Sequence, residues 1–169
     1  MKQTASLLCA ALLCACVPTF PQSASEMRSM TASRSALTAS NSIAVASNMA
    51  TTRTVLSRMS RNCYNRIVDD NHVYRVGAYG PQSILMRYSY RSTVSTSGGV
   101  TTLTIRKKHL SGINPGQPEN GFIGFVLDAR ANDSGGLTLT GHGSGLGLKG
   151  TLRDFKKSIE TGKIECTGV

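Results

Sequence analysis

Five glycines and one lysine crowd residues 141–150, GHGSGLGLKG. Gly145, Gly147 and Gly150 match G-x-G-x-x-G, the spacing that lets backbone amides approach a pyrophosphate at a helix N-terminus. That chemistry belongs to a strand–helix–parallel-strand unit, and only nineteen residues follow Gly150. Lys149 is followed by Gly150, so the G-K-[ST] of a phosphate loop is missing. The glycines are therefore read as structural. They permit a bend, a bulge or close backbone approach where a sheet meets a helix, in one kinked strand or a small hairpin. Lys149, at the start of that helix, is a candidate anion contact.

The remaining side chains with chemical potential do not converge in the sequence. His72, His109 and His142 are far apart and lack metal-ligand spacing. Asp69, Asp70 and His72 lie close together, but in a stretch whose composition reads as a turn. G-x-S-x-G, H-E-x-x-H and paired glutamates are all missing. The expectation is a protein without catalytic residues, metal or cofactor. Cations are the more prominent group: nineteen Lys and Arg stand against nine Asp and Glu, a formal charge of +10. Arg75, Arg87, Arg91, Arg106, Lys107 and Lys108 fall on or beside strand-like segments. They are expected to share the wet face of a sheet as an anion-binding patch.

The N-terminus tells where such a patch would act. Lys2 precedes an uncharged apolar run, ASLLCAALLCA (5–15), too short to span a bilayer as a helix of about 20 residues. It ends in Leu13-Cys14-Ala15-Cys16, which resembles the bacterial lipoprotein signal: leucine, a tolerant position, a small residue, then the cysteine that becomes residue one. The resemblance implies cleavage after residue 15 and acylation of Cys16 on its thiol and amine. Val17, in place of the aspartate that retains such proteins at the inner membrane, implies the outer membrane, facing the periplasm. In that compartment nucleic acid is not an expected partner. Phosphorylated headgroups, lipopolysaccharide, cell-wall polymers or another envelope protein are. Removing residues 1–15 takes with it Cys9 and Cys14. With Cys16 acylated, Cys63 and Cys166 are left, an even pair expected to form a disulfide in an oxidising space.

The elements that must position these groups follow from periodicity. Residues 16–47, rich in Ser, Ala, Thr and Met, read as a flexible tether, leaving 48–169 as a single domain. Val55, Met59, Cys63 and Ile67 recur every four residues, with Leu56 beside them, and predict a helix capped by Thr51 or Thr52. Period-two segments at 72–79, 84–91, 100–109, 122–130 and 137–142 predict strands with short connections. Ile84, Met86, Tyr88 and Tyr90 face one side of the second. Leu85, Arg87, Ser89 and Arg91 face the other. A last helix over 151–161 carries Leu152, Phe155 and Ile159, with a capping-box-like Thr151/Asp154 pair and a Gly162 stop.

The expected fold is α+β: an antiparallel meander of about five strands with an N-terminal and a C-terminal helix on one face. The expected function is a lipid-anchored, non-catalytic interaction module that binds anionic envelope components. A carrier or sensor of a lipid or small apolar ligand in a helix–sheet cavity is the alternative, and an unrecognised enzyme a further one. Oligomeric state is left open.

Overall fold

The computed structural model describes residues 20–33, 37–75, 81–111, 116–166 and 168, and only the backbone of 71–75 and 81–84. The apolar leader, Cys16 and the Arg75 side chain lie outside the described residues.

The fold is α+β, with a six-stranded antiparallel sheet. In chain order the elements are α1 (Ala24–Ala32), β1 (Thr38–Val45), α2 (Met49–Cys63), β2 (Ile67–Arg75), β3 (Pro81–Ser97), β4 (Val100–His109), β5 (Phe122–Ala131), β6 (Leu137–Ser144) and α3 (Leu148–Thr161). Strands β2 to β6 form a meander, and β1 closes on β6, giving the order β1-β6-β5-β4-β3-β2. Every pairing is antiparallel.

The strand beyond the expected five is β1, and it corrects the expected tether. Residues 16–47 contribute both α1 and β1. Ser23 caps α1 by accepting from the Glu26 amide, and Met27 is buried against Ile123 and Val126. Asn41, Ser42 and Thr38 give β1 a polar composition, but an edge strand draws its stability from its ladder with β6, which composition does not reveal.

Other boundaries shift for local reasons. Asn48 caps α2, its Oδ1 accepting from the Thr51 amide at 2.9 Å, while Thr52 is buried. The helix ends at Cys63, not at Ile67. Asn65 stops it by donating to the Ser60 carbonyl at 3.0 Å and accepting from the Ser92 amide at 2.9 Å. Asp69-Asp70-Asn71 is therefore within β2 and is no turn. Helix α3 begins three residues earlier than expected because Leu148 enters the core, and Gly147 (φ 79°) is its N-cap in place of a Thr151 side chain. Gly162 (φ 70°) ends it.

The main core lies on one face of the sheet, called here the inner face. Val55, Leu56 and Met59 of α2 and Leu152, Phe155 and Ile159 of α3 meet Leu103, Ile105, Phe125, Leu127, Ala129 and Leu139 there. On the outer face α1 covers β1, β6 and β5, and the β2–β3–β4 half is left uncovered by it. Cys63 and Cys166 form a disulfide that closes a separation of 103 residues and ties the C-terminal tail to the end of α2.

Candidate functional site

Gly141 of β6 explains how closely α3 reaches the sheet, and Gly143 how closely Phe125 of β5 packs on it. A Cβ at Gly141 would come within 3.0 Å of Leu152 and 3.2 Å of Leu148. One at Gly143 would meet Phe125 at 3.0 Å. The chain from 137 to 144 is a single strand, followed by a turn at 145–147. Both partners of β6 are antiparallel to it, so no dinucleotide unit exists here. Lys149 lies beside Arg153 and β1 residues Asn41 and Ser42 in a separate surface pocket of about 330 Å³.

With α3 pressed on β6, the inner-face ends of β3, β4 and β5 that carry Tyr88, Lys107 and Phe122 border open space among the described residues. A cleft of about 630 Å³ opens there, lined by Met86, Tyr88 and Tyr90 of β3, Lys107 of β4, Phe122 and Phe125 of β5, and Leu146 and Leu148 at the entry to α3. Asp70, Ser144 and Thr151 supply polar groups to its rim. The tail returns to it: Thr151 donates to the Gly168 carbonyl at 3.3 Å, two residues beyond the disulfide. Leu146 is 93% exposed at the cleft edge.

Aromatic rings organise the floor. The Tyr88 ring meets His109 edge-on at 4.8 Å, His109 stacks on Phe122 at 5.9 Å, and Phe122 packs against Phe20 at 4.9 Å. Phe125 stacks on Phe155 at 5.6 Å, joining the floor to the main core. The Lys107 ammonium sits 4.1 Å from the Tyr88 centroid and 5.7 Å from that of Tyr90. Burial pushes its pKa below the ordinary lysine value, and the negative charge of Asp70 opposes that only in part. Burial likewise raises Tyr90, assisted by Tyr88 and Asp70, so this hydroxyl stays neutral. Burial and the Lys107 charge together push His109 down, and its buried Nδ1 has no hydrogen-bond partner among the described residues.

The expected basic patch divides between the two faces. Arg87, Arg91, Arg106 and Lys108 share the outer face: Arg91 is opposite Arg106, and Ser89 is opposite Lys108. Lys107, between two of them in sequence, alternates to the inner face opposite Tyr90 and does not belong to the patch. Arg91, Arg106 and Lys108 line an outer groove of about 400 Å³ with Ile67, Ser89, Leu110, Glu119 and Asn120. Arg106 is fixed by donating to the carbonyls of Gln22 (2.7 Å) and Gly121 (2.9 Å), and Arg87 pairs with Asp69 at 3.2 Å.

That ion pair also separates the acidic cluster. Asp69 is on the outer face with Arg87, and Asp70, the next residue of the strand, faces the inner cleft opposite Met86. The two carboxylates point to opposite faces, and the side chain of His72, the third member of the expected cluster, lies outside the described residues. Among the described residues no group of three or more His, Cys, Asp or Glu could hold a metal ion. No described helix is long and apolar enough to cross a membrane.

A polar network pins α1 to the outer face. Arg28 donates from Nε and Nη2 to the two Asp128 oxygens at 2.7 Å each, and Thr102 donates to the same carboxylate at 2.7 Å. Thr31 donates to the Arg28 carbonyl at 2.9 Å and lies 2.8 Å from His142 Nδ1. Burial alone would raise Asp128; the hydrogen bonds from Arg28 and Thr102 outweigh it and hold the carboxyl below its usual range. Burial pushes His142 down, more than the nearby Asp128 carboxylate lifts it. The Thr31 hydroxyl is buried and already donating, so the cluster reads as a fastening for α1.

No protein-family model matches the chain, and neither does any curated protein or solved structure. What distinguishes the molecule is thus its own geometry: an antiparallel sheet with a helix-flanked aromatic cleft on one face and a basic groove on the other.

Proposed function

We propose that this chain is a lipid-anchored envelope protein whose domain binds, without catalysis, a small apolar molecule carrying an anionic end. The observation that carries the reading is the 630 Å³ inner cleft with Lys107 over Tyr88. Its volume falls in the roughly 300–1,000 Å³ range of small-molecule sites, and its lining is mostly hydrophobic and aromatic with few polar groups. An ammonium that burial destabilises, with ring faces as its neighbours, gains from a ligand carboxylate or phosphate that supplies a counter-charge. The apolar body of the ligand would lie along Tyr90, Phe125 and Leu148. Exposed Leu146 then has a partner.

Two features support the location. Leu13-Cys14-Ala15-Cys16 supplies the acylation signal, and the Cys63–Cys166 bond suits an oxidising compartment. A Cys16→Ser chain should therefore leave the membrane fraction. A second reading, an interaction module working through the basic face, draws on the outer groove of Arg91, Arg106 and Lys108.

The test is titration of the purified protein with a fluorescent long-chain fatty acid. The expected result is saturable binding that weakens about tenfold in Lys107→Met, a change of about 1.4 kcal/mol. It should be unchanged in Arg91→Ala. Absence of saturable binding, or loss in Arg91→Ala with Lys107→Met unaffected, would favour the second reading.

A further inference from the structure

The half of the outer face that α1 does not cover combines exposed apolar side chains with cations. Three large apolar side chains stand exposed on it: Ile67 at 55%, Leu85 at 63% and Leu110 at 43%. Ile67 and Leu85 share the outer parity of β2 and β3 with Arg87 and Arg91, and Leu110 lines the groove with Arg106 and Lys108. Apolar residues set among cations are the composition of a surface that lies in a membrane interface, where leucines enter the headgroup boundary and Lys and Arg meet anionic lipid.

The chain's path puts that surface at the anchor. Phe20 packs on Phe122, the Pro21 carbonyl accepts from the Ile123 amide at 2.7 Å, and the Gln22 carbonyl accepts from Arg106 at 2.7 Å. Residues 20–22 therefore lie beside the basic groove. Cys16 precedes Phe20 by four residues, which span at most about 14 Å. A tether of about thirty residues would have left orientation open, but α1 and β1 take up most of that length.

We propose that this half-face, from Ile67 and Leu85 across to Lys108, rests on the anionic lipid surface of the leaflet that holds the acyl chains. The proposal rests on the acylation of Cys16 for its geometry, and on Arg91, Arg106 and Lys108 for its preference for anionic lipid. In this pose Phe122, at the lower end of the inner cleft, is also close to the bilayer.

The chain contains no tryptophan, so a single introduced one reports its own depth. Leu110→Trp sits at the groove; Ser134→Trp sits in the exposed β5–β6 turn, about 30 Å away along β5. Each full-length processed protein is mixed with vesicles of brominated phosphatidylglycerol or brominated phosphatidylcholine, and quenching is measured. The expected result is quenching of Leu110→Trp at least threefold stronger than of Ser134→Trp in phosphatidylglycerol. High salt or added Arg91→Glu and Lys108→Glu should reduce it. Equal quenching at the two sites, or no preference for phosphatidylglycerol, overturns the proposal. Flotation with phosphatidylcholine separately reports the anchor. If flotation fails, the acylation reading falls, and the contrast in phosphatidylglycerol still decides whether this face meets anionic lipid.

Discussion

Lys107 differs from its two cationic neighbours only in which way its strand turns it. Arg106 and Lys108 face outward, where water screens them; Lys107 faces a wall of rings. The alternation is readable in the sequence, since Lys107 continues the parity of the apolar Leu103 and Ile105. Treating residues 106–108 as one charged block hid it. The histidines show the same influence of burial, and their titration has a measurable consequence. Both His109 and His142 are held below the ordinary value of 6.5, so between the folded and unfolded values the unfolded chain binds more protons. Stability from these two groups is present above about pH 6.5 and is lost as pH falls through the folded values. Asp128, also depressed, adds its loss only below the ordinary carboxylate range. Urea midpoints should therefore drop between pH 7.5 and pH 5, and a His109→Gln/His142→Gln protein should show a flatter profile over that interval.

At the scale of elements, the approach of α3 to β6 at Gly141, and of Phe125 of β5 to β6 at Gly143, depends on hydrogen in place of methyl groups. Gly141→Ala and Gly143→Ala should each cost about 1–3 kcal/mol in denaturant unfolding, because leucine and phenylalanine side chains occupy the space. Gly145→Ala meets only Ala39 at 3.6 Å and should cost less than either. The disulfide acts at the same scale. Joining residues 103 apart removes unfolded-state freedom, and Cys63→Ser/Cys166→Ser should lower stability by roughly 4–5 kcal/mol on the chain-entropy account. A shift of less than 1 kcal/mol would mean that the bond holds the tail and little else. Sequence reading worked for elements with a strong apolar period: β4, β5 and α3 are where Leu103, Phe125 and Phe155 demand them. It missed α1 and β1, whose stability comes from Arg28–Asp128 and from the β6 ladder, both formed with residues about a hundred positions away. It also extended α2 past Asn65, because Ile67 keeps the four-residue spacing while belonging to a strand.

For the whole molecule, we propose a task for each face: a ligand for the inner cleft, and the lipid surface of the anchoring leaflet for the outer half-face that α1 does not cover. The glycine stretch that first suggested phosphate chemistry instead brings a helix close enough to flank that cleft. The cleft itself is legible only in its parts: Tyr88 and Tyr90 share one side of their strand in the sequence, but that α3 leaves this end of the sheet open depends on tertiary placement. The most direct measurement is heteronuclear NMR of the protein during titration with a long-chain carboxylate. The account predicts amide shifts at Tyr88–Tyr90, Lys107, Phe122–Phe125 and Leu146–Thr151, with Arg91 and Lys108 unmoved. Shifts confined to the outer groove, or none at saturating ligand, would contradict it.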